Sequence, residues 1–146
     1  MSLEPLLAAP WFIQAHAFCA IAAFFLGVVQ LTAPKGTLPH RTLGVIWVVL
    51  MIVVTITSAF IVHPTNPGDP FWARFSFIHI FTVITAIGLV GGIRYLLAGG
   101  PNLKKHRGPF IGMFIGGLII AGALAFLPGR IMHAVVFGGG AAYYGQ

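Results

Sequence analysis

Acidic side chains are almost missing from this chain. Glu4 and Asp69 are the only two, and both lie outside its apolar runs. That absence removes the intramembrane carboxylate relay on which proton-coupled pumps and transporters commonly depend. Cysteine is equally scarce. Cys19 stands alone, so no internal disulfide and no Cys-x-x-Cys metal clip can form, and it reads as a small packing residue. There is no Ser/His/Asp set, no HExxH and no glycine-rich phosphate loop, which argues against hydrolysis and nucleotide chemistry. The opening "MSLEPLLAAP" carries no Lys or Arg and so lacks the basic region of a secretory signal peptide; the first apolar segment is expected to be retained.

What remains is hydrocarbon. Apolar residues make up 58% of the 146, and only 7% are charged, a balance that belongs to membrane proteins. Four apolar runs, at about Trp11–Leu31, Thr42–Val62, Phe71–Leu97 and Phe110–Leu127, each approach the roughly 20 residues needed to span a bilayer. The expectation is an all-α membrane protein: a single four-transmembrane-helix bundle covering residues 1–146. Pro39 and Pro109 suit helix first turns, "HPTNPGDP" reads as a turn, and Pro128-Gly129 ends the fourth run. The tail "FGGGAAYYGQ" is weakly structured by itself, with Tyr143 and Tyr144 suited to an interface or a partner.

The basic residues are distributed unevenly. Lys35, Arg41, Arg94, Lys104, Lys105 and Arg107 flank the first and third loops, whereas Arg74 and Arg130 lie at the opposite end with both acids. The positive-inside rule makes loops one and three cytoplasmic and puts both termini outside, as expected of a multi-pass protein of the bacterial cytoplasmic (inner) membrane. The net charge of +6 then reflects topology and anionic lipid, not nucleic acid.

Two stretches resemble each other. With an offset of 63 residues, "FIQAHAFCAIAA" lies over "FSFIHIFTVITA", so that Phe12 meets Phe75, His16 meets His79 and Phe18 meets Phe81. With three extra residues in the third loop, His40-Arg41 falls on His106-Arg107. The bundle therefore reads as two parallel two-helix repeats, about 11–62 and 71–127, related by an axis along the membrane normal.

Histidine is costly in hydrocarbon and is placed there for a reason. His16 lies five residues beyond Trp11 and His79 seven beyond Trp72, so both rings fall roughly 8–10 Å below the outer interface at 1.5 Å rise per residue. A two-fold arrangement puts their helices on a diagonal, where two imidazoles form a bis-histidine site for haem b. His40 and His106 form a second pair at the other end, as a further haem site or as headgroup contacts. Arg41 and Arg107 would pair with haem propionates or lipid phosphate. The plainer reading is that His16 and His79 hydrogen-bond a Ser, Thr or carbonyl on a neighbouring helix. His63 and His133 mark the outer boundary, as interface residues or contacts for a quinone headgroup. Gly112 and Gly116 form a GxxxG, while Gly88, Gly91, Gly92 and Gly117 add further small positions for close approach. Phe18, Phe24, Phe25, Phe75, Phe77 and Phe81 provide ring surface.

A His in the first helix, "HRTLG" opening the second, a second His and a further "HR" opening the fourth resemble a bacterial predicted-membrane-protein family, domain of unknown function 2306. The likeness runs from about Phe12 to Arg130 and implies four helices. More distantly, the pattern is similar to the cytochrome b-561 type of electron carrier, whose four-helix core holds two haems between alternate helices. That resemblance implies one haem on His16 and His79 and another on His40 and His106. This chain departs from the pattern in lacking flanking helices and in its short His16-to-His40 spacing. The functional expectation is a small haem b electron-transfer subunit beside a larger respiratory, photosynthetic or quinone-linked membrane complex, and not a stand-alone enzyme. The alternatives are a haem-free accessory subunit that binds lipid or quinone, with a homodimer compatible with either, and a small-molecule transporter.

Overall fold

The computed structural model describes residues 1–62, 66–76 and 78–138. His63, Phe77, Tyr143 and Tyr144 lie outside them. A short helix α1 (Glu4–Leu7) precedes α2 (Trp11–Thr32) and α3 (Leu38–Phe60). A 3-10 turn at Phe71–Arg74 leads to α4 (His79–Ala98). The last long helical run changes pitch along its length: 3-10 at Gly100–His106, α5 (Arg107–Met113), a π-helical segment at Phe114–Ile120, then α6 (Ala121–Leu124). Helix α7 (Ile131–Phe137) follows the turn at Gly129. Four helices are long and apolar enough to cross a membrane, and no strand occurs among the described residues.

The local signals explain most of the boundaries. The Thr37 hydroxyl caps α3 by accepting from the His40 backbone N–H at 3.3 Å, and Pro39 sits in the first turn. Gly99 and Gly100 take φ of +60° and +54°, a backbone open to glycine at no steric cost, and turn the chain out of α4. The third span departs from expectation. Its run reads as helix from Phe71, yet Phe75 is extended and α4 begins only at His79. Pro70 starts a tight turn, and the Phe71, Phe75 and His79 rings stack edge to face along it at centroid spacings of 5.3 and 5.1 Å. The second span starts earlier than expected, at Leu38, and the fourth at Gly100.

Helix α2 packs on α3 and on the π segment, while α4 packs on α3 and on α5, which sets α2 and α4 on a diagonal. One apolar cluster, Ala23, Trp47, Met51, Leu89, Met113, Phe114 and Leu118, fills the middle of the bundle. Inside it the Trp47 indole N–H donates to the Ala23 carbonyl at 2.9 Å. A second cluster of Leu6, Ala9, Ile13, Ile131 and Val135 joins α1 and α7 over the start of α2. Less than a quarter of each span is buried, and large apolar side chains such as Ile87 (69% exposed) cover the outside, so hydrocarbon must be the solvent.

Association in hydrocarbon rests on close packing and interhelical hydrogen bonds, because lipid is as apolar as leucine. The tight seams are at Gly92, where an added Cβ would lie 2.0 Å from the Phe110 ring, at Gly27 (2.5 Å from Phe114), at Gly88 (2.6 Å from Met113) and at Gly117 (2.8 Å from Thr85). The expected GxxxG is not the seam. A Cβ added at Gly112 would meet nothing within 4 Å, and one added at Gly116 would meet only Phe81, at 3.9 Å.

Candidate functional site

Between the two apolar clusters runs a band of polar side chains. His16 sits on the second turn of α2, and its Nδ1 faces the Val54 carbonyl at 3.1 Å and the Thr57 hydroxyl at 3.2 Å, both on α3. Thr57 donates its own proton to the Val53 carbonyl at 2.6 Å, so its oxygen accepts from the ring. A carbonyl can only accept. Nδ1 of His16 therefore carries the proton, and Nε2 keeps the lone pair. Next to Thr57, the Ser58 hydroxyl donates to Thr82 Oγ1 on α4 at 3.1 Å. His79 precedes Thr82 by three residues, so it lies within about one turn, roughly 5 Å, of the same level.

His79 is bound to its own turn. Its Nδ1 either donates to the Ser76 carbonyl at 3.1 Å or accepts from the Ser76 backbone N–H at 3.2 Å, depending on tautomer. In both cases Nε2 is buried without a partner among the described residues, as is the Ser76 hydroxyl. A buried polar atom without a partner costs about 1–3 kcal/mol. With the proton on Nδ1 the two rings match: each anchors Nδ1 to a carbonyl and leaves Nε2 as a free base. Ligating histidines are held in this way.

The opposite end carries the second pair. His106 anchors Nδ1 to the Leu103 carbonyl, and its ring meets Phe110 edge to face at 5.5 Å. Phe110 in turn meets Trp47 at 5.6 Å, an aromatic path from this end into the core. His40 lies within electrostatic reach of His106 and Lys35. Its carbonyl accepts from Gln30 Nε2 at 2.9 Å, while its Nδ1 and Gln30 Oε1 are buried without partners. Arg41 and Arg107 are exposed beside this pair. His133 instead faces Phe137 on α7, at 5.0 Å between ring centroids. Among the described residues no three His, Cys, Asp or Glu converge, so a metal would rest on histidine pairs.

The polar partners Thr57, Ser58, Thr82, Ser76 and Gln30 are absent from the expectation drawn from sequence. Their signal was present: "TITSAF" and "FTVITA" each interrupt an apolar run with hydroxyls, and such residues hydrogen-bond across membrane helices.

A family model described as predicted membrane protein (DUF2306) matches residues 13–118, which includes all four histidines of the two pairs. The chain belongs to this family. No curated protein and no solved structure matches it. The DUF2306 match spans α2 through most of the π segment and leaves α1 and α7, which cover the His16 end, outside the matched region.

Proposed function

We propose that this DUF2306 protein is a haem b electron-transfer subunit working beside a larger, quinone-linked complex in the bacterial inner membrane, with both termini on the outer side. The single observation behind this reading is the Nε2 of His79, buried with no partner among the described residues, on a helix diagonal to that of His16, whose Nδ1 faces the Val54 carbonyl. The residues present suit the group. The neutral imidazoles of His16 and His79 on diagonal helices would hold it, and the apolar clusters near them would exclude water. Haem b, when bound, supplies reversible one-electron exchange at iron. Val54 and Thr57 hold the orientation of the His16 ring and Ser76 that of His79, as partners of ligating histidines would. His40 and His106 would hold a second haem, with Arg41 and Arg107 on propionates.

The haem-free accessory subunit is supported by a specific observation as well: the bonds of His16 to Thr57 and Val54 tie α2 to α3 with no cofactor needed. Absorbance separates the two readings. Chain purified from haem-sufficient cells should give a Soret band and the sharp reduced α-band of six-coordinate haem. Colourless, folded protein would leave the accessory reading in its place.

A further inference from the structure

Helices α1 and α7, of four and seven residues, are too short to cross a bilayer, yet they close one end of the bundle. Leu6 of α1 is 1% exposed. It meets Ile131 and Val135 of α7 and Ile13 of α2 in one apolar cluster, against which Phe12, Ala17 and Ile61 also pack. On α2, His16 is three residues past Ile13 and four past Phe12, so it follows them on one face, a turn further in. On α3, Thr57 stands four residues before Ile61. The cap is therefore the layer next to the His16–Thr57 contact on both helices.

Its attachment is slight. Helix α7 packs on α1, and α1 on α2. The Ser2 backbone N–H donates to the Val135 carbonyl at 3.1 Å, which joins the two short helices. Gln14 Nε2 donates to the carbonyls of Leu7 (3.0 Å) and Ala9 (2.7 Å) and so pins the end of α1 to the first turn of α2. A cavity of about 220 Å³, lined by Met1, Ser2, Leu3, Val135 and Val136, leaves the α1–α7 junction incompletely packed. The chain enters α7 through Gly129, at a φ of +82° that glycine adopts without strain, and passes from α1 to α2 across Pro10. Short elements with few buried contacts open at a lower free energy than the core they cover.

We propose that α1 and α7 form a hinged lid, latched by Gln14, that opens as a unit and controls the access of water and small polar solutes to the His16 end. Closed, the lid keeps an apolar layer over the His16–Thr57 contact. Open, it wets that contact while the four long helices stay packed around Trp47 and Met51. The lid acts on the space beside His16 and is independent of whether haem is bound there.

Thiol labelling of the full chain in lipid nanodiscs reads the opening. With Cys19→Ser removing the native thiol, Ala17→Cys puts a single thiol against the lid, and Ala20→Cys puts one against the central cluster a turn deeper. A charged, water-soluble methanethiosulfonate should label Ala17→Cys far more slowly than Lys104→Cys, an exposed position. Gln14→Leu should raise the rate at position 17 about tenfold, the worth of its two hydrogen bonds, and leave position 20 unchanged. Leu6→Ala, which empties the centre of the cap by another route, should also raise it at position 17 alone. Labelling at position 17 as fast as at Lys104→Cys would mean that nothing covers this end. No response to either lid variant, or equal acceleration at positions 17 and 20, would also overturn the proposal.

Discussion

The two ends of this bundle each hold a histidine pair, and they differ in what surrounds it. At one end, His16 lies beside a cap of Leu6, Ile13, Ile131 and Val135, and His79 starts α4 on the diagonal helix, its ring against Phe75. Their polar contacts are hydroxyls and carbonyls, all neutral. At the basic end, His40 and His106 lie beside Lys35, Arg41 and Arg107, and the latter two are exposed. The same residue type therefore meets two dielectrics. A neutral imidazole in an apolar layer is a ligand donor; an imidazole among cations at a headgroup boundary has lipid phosphate and water as competing partners. On the proposed reading the first pair is the better set of ligands, and the largest effects are expected there.

Replacing either member of that pair should break the comparison outright. His16→Ala and His79→Ala should each abolish the low-spin spectrum of one shared haem, since one axial nitrogen is lost in each, leaving at most five-coordinate iron. An unchanged low-spin spectrum in both would make these rings structural. At the basic end, His106→Ala should lower haem content from two per chain to one, as read by pyridine haemochrome assay, and leave the first haem's spectrum intact. The two pairs occupy opposite ends and share no ligand, so their losses should be nearly additive. An unaltered haem content would give His40 and His106 to lipid alone.

Smaller effects test the frame that carries both pairs. Gly92→Leu forces a side chain into the Phe110 ring and should destabilise the bundle by about 1–3 kcal/mol in a detergent unfolding titration. Gly112→Leu, where nothing lies within 4 Å, should be close to neutral. Equal losses would show the seam to be misplaced. Thr57→Val removes one of two acceptors at His16 and keeps the side-chain shape. It should cost about 0.6–1.7 kcal/mol, the usual worth of an interhelical hydrogen bond, because Val54 still accepts.

Much of this was legible from sequence because the strongest signals were local. Apolar run length gave the four spans, and Pro39 marked the start of α3 within a turn. Run length did not show where α4 begins, because the aromatic "FWARFSF" continues the apolar run, whereas in the structure Phe75 is extended and the Phe71, Phe75 and His79 rings stack along the turn. Nor could it pick the packing seam. GxxxG marks two glycines on one face of a regular α-helix, but here the neighbouring Gly117, inside the π segment, is the one that meets α4. The cap formed by α1 and α7 was missed because each helix is too short to show periodicity, and their contact joins residues more than a hundred positions apart. The histidine pairing was read from repeat spacing, but the hydroxyls that orient His16 lie on another helix, and single-chain spacing does not bring them together.

The central claim is that Nε2 of His16 and Nε2 of His79 ligate one iron. Pulsed electron paramagnetic resonance on oxidised chain carrying 15N-histidine measures this most directly, with His40→Ala and His106→Ala in place so that only one pair can answer. The account predicts a low-spin ferric signal coupled to two histidine nitrogens, reduced to one in His79→Ala. A haem signal coupled to no histidine nitrogen, or coupling unchanged in His79→Ala, would contradict it.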